Sequence, residues 1–427
     1  MLPASGRATR AFVFGKCPAA PKSPVWSRNH FDPRLRKSRT IFSFASFAAR
    51  SRMGDRSEGA ITLQEWQGWG TTSPLPNMVM EIVEDLKALE KDVDADMSFG
   101  GIGGKLRGNL RIQEDKKHRA TYQALGDSEK KLQFYAARQI ACRLLGSRGY
   151  LCQKCWLPME DCMCSKVTSR SLGPGIRFWL YMHPKDFLRQ NNTGKILWQV
   201  FGVEAATLCL FGIPEHEEIM WNSFKLAGKG NVWCLYPNKN AAVKSVQDAF
   251  GQELLGNYEA TLAKTKEDKA LNFILIDGTW SNSAAMFRRL QDQAKSIWGD
   301  EDLPCISLTP GASAMHKLRP QPSWDRTCTA AAAAGLLSEL QLLPQFSSIG
   351  LDTQAEAVED TVTVLLEALT KRRLRMGRSI TRKEQLRDVL EVVANFVYDR
   401  NLPSSKFSIL NDTGFRGSGC ICITSDK

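Results

Sequence analysis

Two hydrophobic rhythms alternate along the middle of the chain. Short apolar runs at 176–182, 207–211, 232–236, 271–276 and 305–308 predict buried strands. Between them, apolar positions recur at helical spacing over 187–201, 241–250 and 283–298. Strands with little polar interruption, alternating with helices, predict an α/β fold: a mostly parallel sheet with helices on both faces. Helical spacing also marks 78–93 and 128–145 upstream, and 329–343, 356–374 and 383–399 downstream. Residues 54–75 read as linker, with Trp66 and Trp69 as possible anchors. The Gly-rich stretch 98–108 invites a phosphate-loop reading. Its spacing fails, because Lys105 is followed by Leu106 where Ser or Thr is required.

These boundaries predict a targeting or disordered segment at 1–53 and a linker with a helical extension at 54–139. The alternating strands and helices are expected to form one domain over 140–375, followed by a C-terminal helix and tail at 376–427. Charge sharpens the first boundary. Residues 1–53 hold eight Arg and three Lys against Asp32 alone, so they carry +10 of the net +12. The remainder is nearly neutral, and any nucleic-acid contact there must come from a local patch. The run 371–383, with seven basic residues and no acid, is such a patch; the alternative is a solvated helix end. The Arg-, Ser-, Ala- and Phe-rich start has the composition of a mitochondrial or chloroplast transit peptide. A disordered basic tail, or nuclear targeting through 34–39, is the competing reading, with a cytoplasmic or nuclear protein as the outcome. No apolar stretch approaches the roughly 20 residues that span a bilayer, so no membrane partner is expected.

Twelve cysteines without a secretory signal argue against a disulfide scaffold. Four of them cluster as Cys152-x2-Cys155-x6-Cys162-x-Cys164. Four thiolates in so short a span can close a tetrahedral zinc site with no open position, hence a structural one. An iron–sulfur cluster or a redox dithiol is the alternative. Cys420 and Cys422 are too few to make a site.

Directly behind the strand at 271–276 come Asp277, Gly278, Thr279 and Trp280. That places a carboxylate, a hydroxyl and an indole where open α/β sheets bind ligands. Upstream, Met182-His183-Pro184-Lys185-Asp186 follows the first strand, then Asn192-Thr193-Gly194, then Leu235-Tyr236-Pro237. In this order, and with the cysteine cluster, these motifs resemble the DTW-domain proteins over roughly 140–375. That family comprises tRNA-uridine aminocarboxypropyltransferases.

The resemblance implies S-adenosylmethionine as donor of a 3-amino-3-carboxypropyl group and N3 of a tRNA uridine as acceptor. It implies a fold related to SPOUT methyltransferases, with a knotted cofactor site. Asp277, Thr279 and Trp280 are then the catalytic candidates, and His183, Thr193, Tyr236, Pro237 and Gly278 surround the donor. Asp277 either takes the N3 proton or positions the donor's ammonium. Thr279 bonds a donor oxygen or caps the next helix. Trp280 stacks on a base or packs in the core. His183, Lys185 and Arg177 are candidate phosphate or substrate contacts, or plain strand residues. Two departures from the family pattern stand out. Asp186 replaces the usual glutamate, and no glutamate follows Arg319-Pro320-Gln321-Pro322 before Thr327-Cys328-Thr329-Ala330. An RNA methyltransferase using the same donor, and a non-catalytic zinc-bearing RNA-binding protein, are the rival functions.

Overall fold

The computed structural model describes residues 61–92, 106, 108–173, 175–236, 244–251, 270–299, 302–309 and 327–378. Expectations for 1–53, 98–105, Pro237, 319–322, 383–399, Cys420 and Cys422 lie outside them. Five strands form one sheet: β1 (Ile176–Met182), β2 (Ala206–Leu210), β3 (Val232–Leu235), β4 (Leu271–Asp277) and β5 (Cys305–Ile306). Their order is β2-β1-β4-β3-β5 and every pairing is parallel.

The helices among the described residues are α1 (Leu63–Gly68), α2 (Asn77–Asp92), α3 (Gly108–Ala124), α4 (Ser128–Ser147), α5 (Lys195–Phe201), α6 (Pro214–Ala227), α7 (Val246–Phe250), α8 (Trp280–Trp298), α9 (Thr329–Gln341) and α10 (Leu351–Arg375). None is long and apolar enough to cross a membrane.

The near-continuous apolar strands are explained by burial on both faces. Along β1, Phe178, Leu180 and Met182 enter one core with α5, α7, α9 and α10. Trp179 and Tyr181 point the other way, into a second core with α6 and α8. Two connections then diverge. The chain leaves β1 through α5 over the first face to the outer neighbour β2. It leaves β4 through α8 over the second face toward β5 on the opposite side. The crevice between the carboxyl ends of β1 and β4 is therefore a topological switch point, where open α/β sheets hold ligands.

Two expectations need correction. The helix predicted over 187–201 begins only at Lys195. Before it, Asp186 N–H bonds His183 O, Arg189 N–H bonds Asp186 O and Asn192 N–H bonds Arg189 O, a succession of tight turns. Leu188 takes a left-handed φ of 54° within them, a conformation a continuing helix cannot contain. The stretch read as linker contains α1, and its anchors are fully buried: Trp66 is 0 % exposed and Trp69 1 %. Trp66 Nε1 donates to Ser73 Oγ at 3.3 Å, and Ser73 Oγ meets His216 Nε2 of α6 at 2.7 Å. Helix α3 lies within the extension expected at 54–139 but carries no apolar periodicity, because it is polar nearly all round; it buries only Leu110 and Glu114. Glu114 is held by the Arg138 guanidinium of α4.

Candidate active site and metal centre

His183 follows β1 and Asp277 ends β4, and the parallel register sets Met182 opposite Asp277. The His183 N–H donates to the Asp277 carbonyl at 2.8 Å, which continues the ladder into the crevice. Asp277 is 6 % exposed. Its Oδ2 accepts from Asn192 Nδ2 at 2.9 Å, and Asn192 Oδ1 accepts the Lys195 N–H at 3.0 Å. Asn192 thus ties the carboxylate to the first turn of α5. Gly194 is needed by close approach, since a Cβ there would overlap Asp277 Oδ2. A Cβ on Gly278 would sit 3.2 Å from Met286 Sδ and 3.3 Å from His183 Cβ, so this glycine lets the turn pack against the histidine.

The His183 ring stacks on Phe211 (centroids 5.9 Å apart) and tilts against Tyr135 of α4 at 6.3 Å. Its Nδ1 accepts the Lys185 N–H at 3.2 Å. Burial pushes its pKa down to about 4, and the neighbouring Lys185 and Arg143 charges push the same way against Asp186. The ring is neutral near pH 7. With Nδ1 filled, hydrogen-bond logic assigns the proton to Nε2, which makes His183 a donor and not a base. Lys185 is exposed, and its Nζ lies 5.7 Å from the Tyr135 ring centroid at the rim. Asp186 is buried and paired with Arg189 at 2.7 Å. Arg177 is excluded from the crevice. It sits near the start of β1, with its guanidinium 4.3 Å over Trp179 and its Nη2 bonded to Thr207 at 3.0 Å.

Thr193 is buried in the turn before α5. Thr279 occupies the N-cap position of α8 with extended backbone, yet its hydroxyl makes no cap bond and meets Ser281 Oγ at 2.9 Å. Trp280 is half-buried at the first turn of α8, so it is not a core tryptophan. Tyr236, just past β3, stacks on Phe287 of α8 at 4.2 Å and 19°. Asp277, Thr193, Gly278 and His183 therefore converge on one crevice, with Trp280 and Tyr236 on the two elements beside it.

The four clustered cysteines also converge. Their Sγ atoms all lie within 4.8 Å of one another, with close approaches of 3.7 Å (Cys152–Cys164), 3.8 Å (Cys155–Cys162) and 3.5 Å (Cys162–Cys152). A tetrahedral ion with metal–sulfur bonds of about 2.3 Å requires sulfur separations of about 3.8 Å, so the set fits zinc. Hydrogen bonds from its neighbours pull the Cys152 thiol down, while its partners push Cys155 up to about 11 and Cys164 up as well. Four thiolates coexist here only around a cation. The knuckle is tight. Trp156 follows Cys155 at a left-handed φ of 56°, uncommon for so bulky a residue, and is fully buried.

Two flanking contacts integrate this module. Two residues from the basic end of α10, by sequence a candidate phosphate contact or a solvated helix end, grip it: Arg375 reaches Glu160 at 2.7 Å and Asp161 at 2.8 Å, and Arg372 reaches Asp161 at 3.5 Å and the Tyr150 hydroxyl at 3.0 Å. On the other side lies Lys195, which sequence reading missed. Its side chain is 0 % exposed, its Nζ donates to Gln190 O at 2.6 Å and lies 5.8 Å from the Trp156 ring centroid. Burial pushes this ammonium down to about 7, and the charges of Cys155, Cys164, Cys152 and Asp277 oppose that. Lysine is the residue type least expected inside a protein, so nothing in composition flagged it. The only available sign was its place directly after Asn192-Thr193-Gly194, ahead of an apolar helix.

In comparison with known families, the model of the DTW domain aligns with residues 149–391, more than half of the chain. No solved structure matches it.

Proposed function

The chain belongs to the DTW-domain family, which suggests a tRNA-modifying enzyme, and on that premise we propose a specific reaction. The protein transfers the 3-amino-3-carboxypropyl group of S-adenosylmethionine to N3 of a uridine in tRNA and releases methylthioadenosine. The observation that carries this reading is Asp277. It is a buried carboxylate fixed by Asn192 at the switch-point crevice, with its own carbonyl held by the His183 N–H of the neighbouring strand.

Uridine N3 carries a proton and is a poor nucleophile until that proton leaves. Asp277 and His183 are the described titratable groups where β1 and β4 end, and His183 has its Nδ1 occupied and offers only an N–H. Asp277 is therefore the base: its carboxylate takes the N3 proton, N3 forms a bond to the donor's γ-carbon, and the carbon–sulfur bond breaks with its electron pair on sulfur. The sulfonium becomes a neutral thioether, so the step needs no metal and no external acid. His183 Nε2–H is suited to a uracil carbonyl, whose oxygen gains charge as N3 is deprotonated. The half-buried Trp280 and Tyr236 offer flat apolar surfaces for the adenine and the uracil. Helix α8 begins at the crevice, and its positive end favours the donor's carboxylate.

The test is incubation of the full chain with unmodified tRNA and S-adenosylmethionine, followed by mass spectrometry of nucleosides and small molecules. Aminocarboxypropyluridine with methylthioadenosine is the expected result. Methyluridine with adenosylhomocysteine would move the protein to the methyltransferases, and bound tRNA without product would favour a binding protein.

A further inference from the structure

Lys195 is an unusual residue in this fold. An ammonium with no solvent exposure costs several kcal/mol unless counter-charges surround it. It also occupies the first position of α5, where a cation opposes the helix dipole. Locally its Nζ has the Gln190 carbonyl at 2.6 Å, a neutral acceptor that supplies no counter-charge. Its surroundings do. On one side its Nζ faces the ring of Trp156, the residue that the strained Cys152–Cys155 knuckle holds in place. On the other, its backbone N–H fixes Asn192 Oδ1, and Asn192 Nδ2 fixes the Asp277 carboxylate.

Four thiolates around a divalent ion carry a net charge of about −2, whereas four protonated thiols carry none. A buried ammonium next to that cluster is the counter-charge a loaded centre requires. We propose that Lys195 is a positioning residue that couples the metal centre to Asp277: the loaded cysteine cluster anchors the Lys195 side chain, and Lys195 anchors the turn that aims the carboxylate. The metal then acts on the crevice through one residue, whose side chain meets the metal module and whose backbone N–H holds Asn192, without contacting substrate. The second half of this coupling deepens the proposed transfer reaction and rests on it; the first half does not.

The experiment uses the full zinc-loaded chain with Lys195→Met, Lys195→Arg, Asp277→Asn and the Lys195→Met/Asp277→Asn double variant. Three quantities are read: the rate of zinc release to a chromogenic chelator, the thermal midpoint, and turnover on tRNA. Lys195→Met is expected to release zinc at least tenfold faster and to lose at least tenfold in kcat with little change in the KM for S-adenosylmethionine. Lys195→Arg, which keeps the charge, is expected to hold zinc within about twofold of the parent. The double variant is expected to lower the midpoint by less than the two single shifts combined, as residues sharing one network do.

Unchanged zinc release in Lys195→Met would overturn the link to the metal. Additive midpoint shifts, or faster zinc release with full turnover, would overturn the link to Asp277. Should Lys195→Met fail to fold, a tenfold faster zinc release from Lys195→Arg would overturn the charge argument. If the parent protein shows no transfer at all, the reaction is wrong, and zinc release and midpoint additivity still judge the coupling.

Discussion

Asn192 holds Asp277 from the side: the amide Nδ2 meets carboxylate Oδ2 at 2.9 Å, and the same amide's oxygen is pinned by the Lys195 N–H at 3.0 Å. The Asp277 backbone is fixed separately, by the His183 N–H. A side chain with both its main chain and one carboxylate oxygen restrained loses little freedom on reaching a reactive geometry, which is how positioned groups gain rate.

Removing the amide should therefore cost rate more than affinity. For Asn192→Ala, the lost hydrogen bond to a buried carboxylate corresponds to about 1.5–3 kcal/mol, or a fall of roughly 10- to 150-fold in kcat. Steady-state kinetics on tRNA, with donor concentration varied, checks this. An increase in KM alone would mean that Asn192 binds donor and does not aim Asp277.

Gly194→Ala is predicted to be more severe. The new methyl would overlap Asp277 Oδ2, so either the carboxylate or the turn must move. We expect at least a roughly 100-fold loss of kcat, as displacements of about 1 Å commonly cause, with the fold retained by circular dichroism. A variant with near-normal turnover would show that Asp277 is not the working carboxylate.

Acid should destabilise the protein through His216. Burial depresses its pKa from 6.5 to about 4, so the unfolded chain binds a proton that the folded chain refuses. The resulting stability is fully present above pH 6.5 and is lost as pH falls from 6.5 through about 4, amounting to about 3 kcal/mol. Urea unfolding at pH 7 and pH 5 reads the slope. His118 and His183 are held down to about 4 by burial in the same way, so His216→Gln should remove only part of that slope; an unaltered slope would assign the acid sensitivity to those two and other groups.

Metal removal should act on the fold as well as on activity. The parent is expected to carry one zinc per chain by elemental analysis. Cys155→Ser should lose it and at least about 3 kcal/mol of stability, since a closed site's binding energy is folding energy. A metal-free protein of unchanged thermal midpoint would make the cluster a set of ordinary thiols.

Much of this was legible from pattern. β1 falls on the run at 176–182, because a strand buried on both faces is apolar throughout. Asp277 was placed correctly, since a lone acid ending such a run marks the carboxyl edge of the sheet. The turn at 187–194 was misread because Phe187 and Leu188 carry helical spacing while their conformation is dictated from outside, by the wrapping of that turn around Asp277. Tyr135 shows the same limit. It lies on a helix preceding the domain match and reaches His183 only through tertiary packing. Local periodicity reports which face a residue offers, and not which distant segment receives it.

The clasp of Arg375 on Asp161 joins residues 214 apart in sequence. During synthesis the cysteine module emerges long before the arginines that secure it. A chain truncated before Arg372 would retain all four clustered cysteines and every crevice residue named above yet leave the module unfastened on one side. The end of α10 thus works as a completeness check: the ribosome must deliver the whole domain before its earliest-made part is locked, and loss-of-function changes near residue 375 need not touch RNA at all.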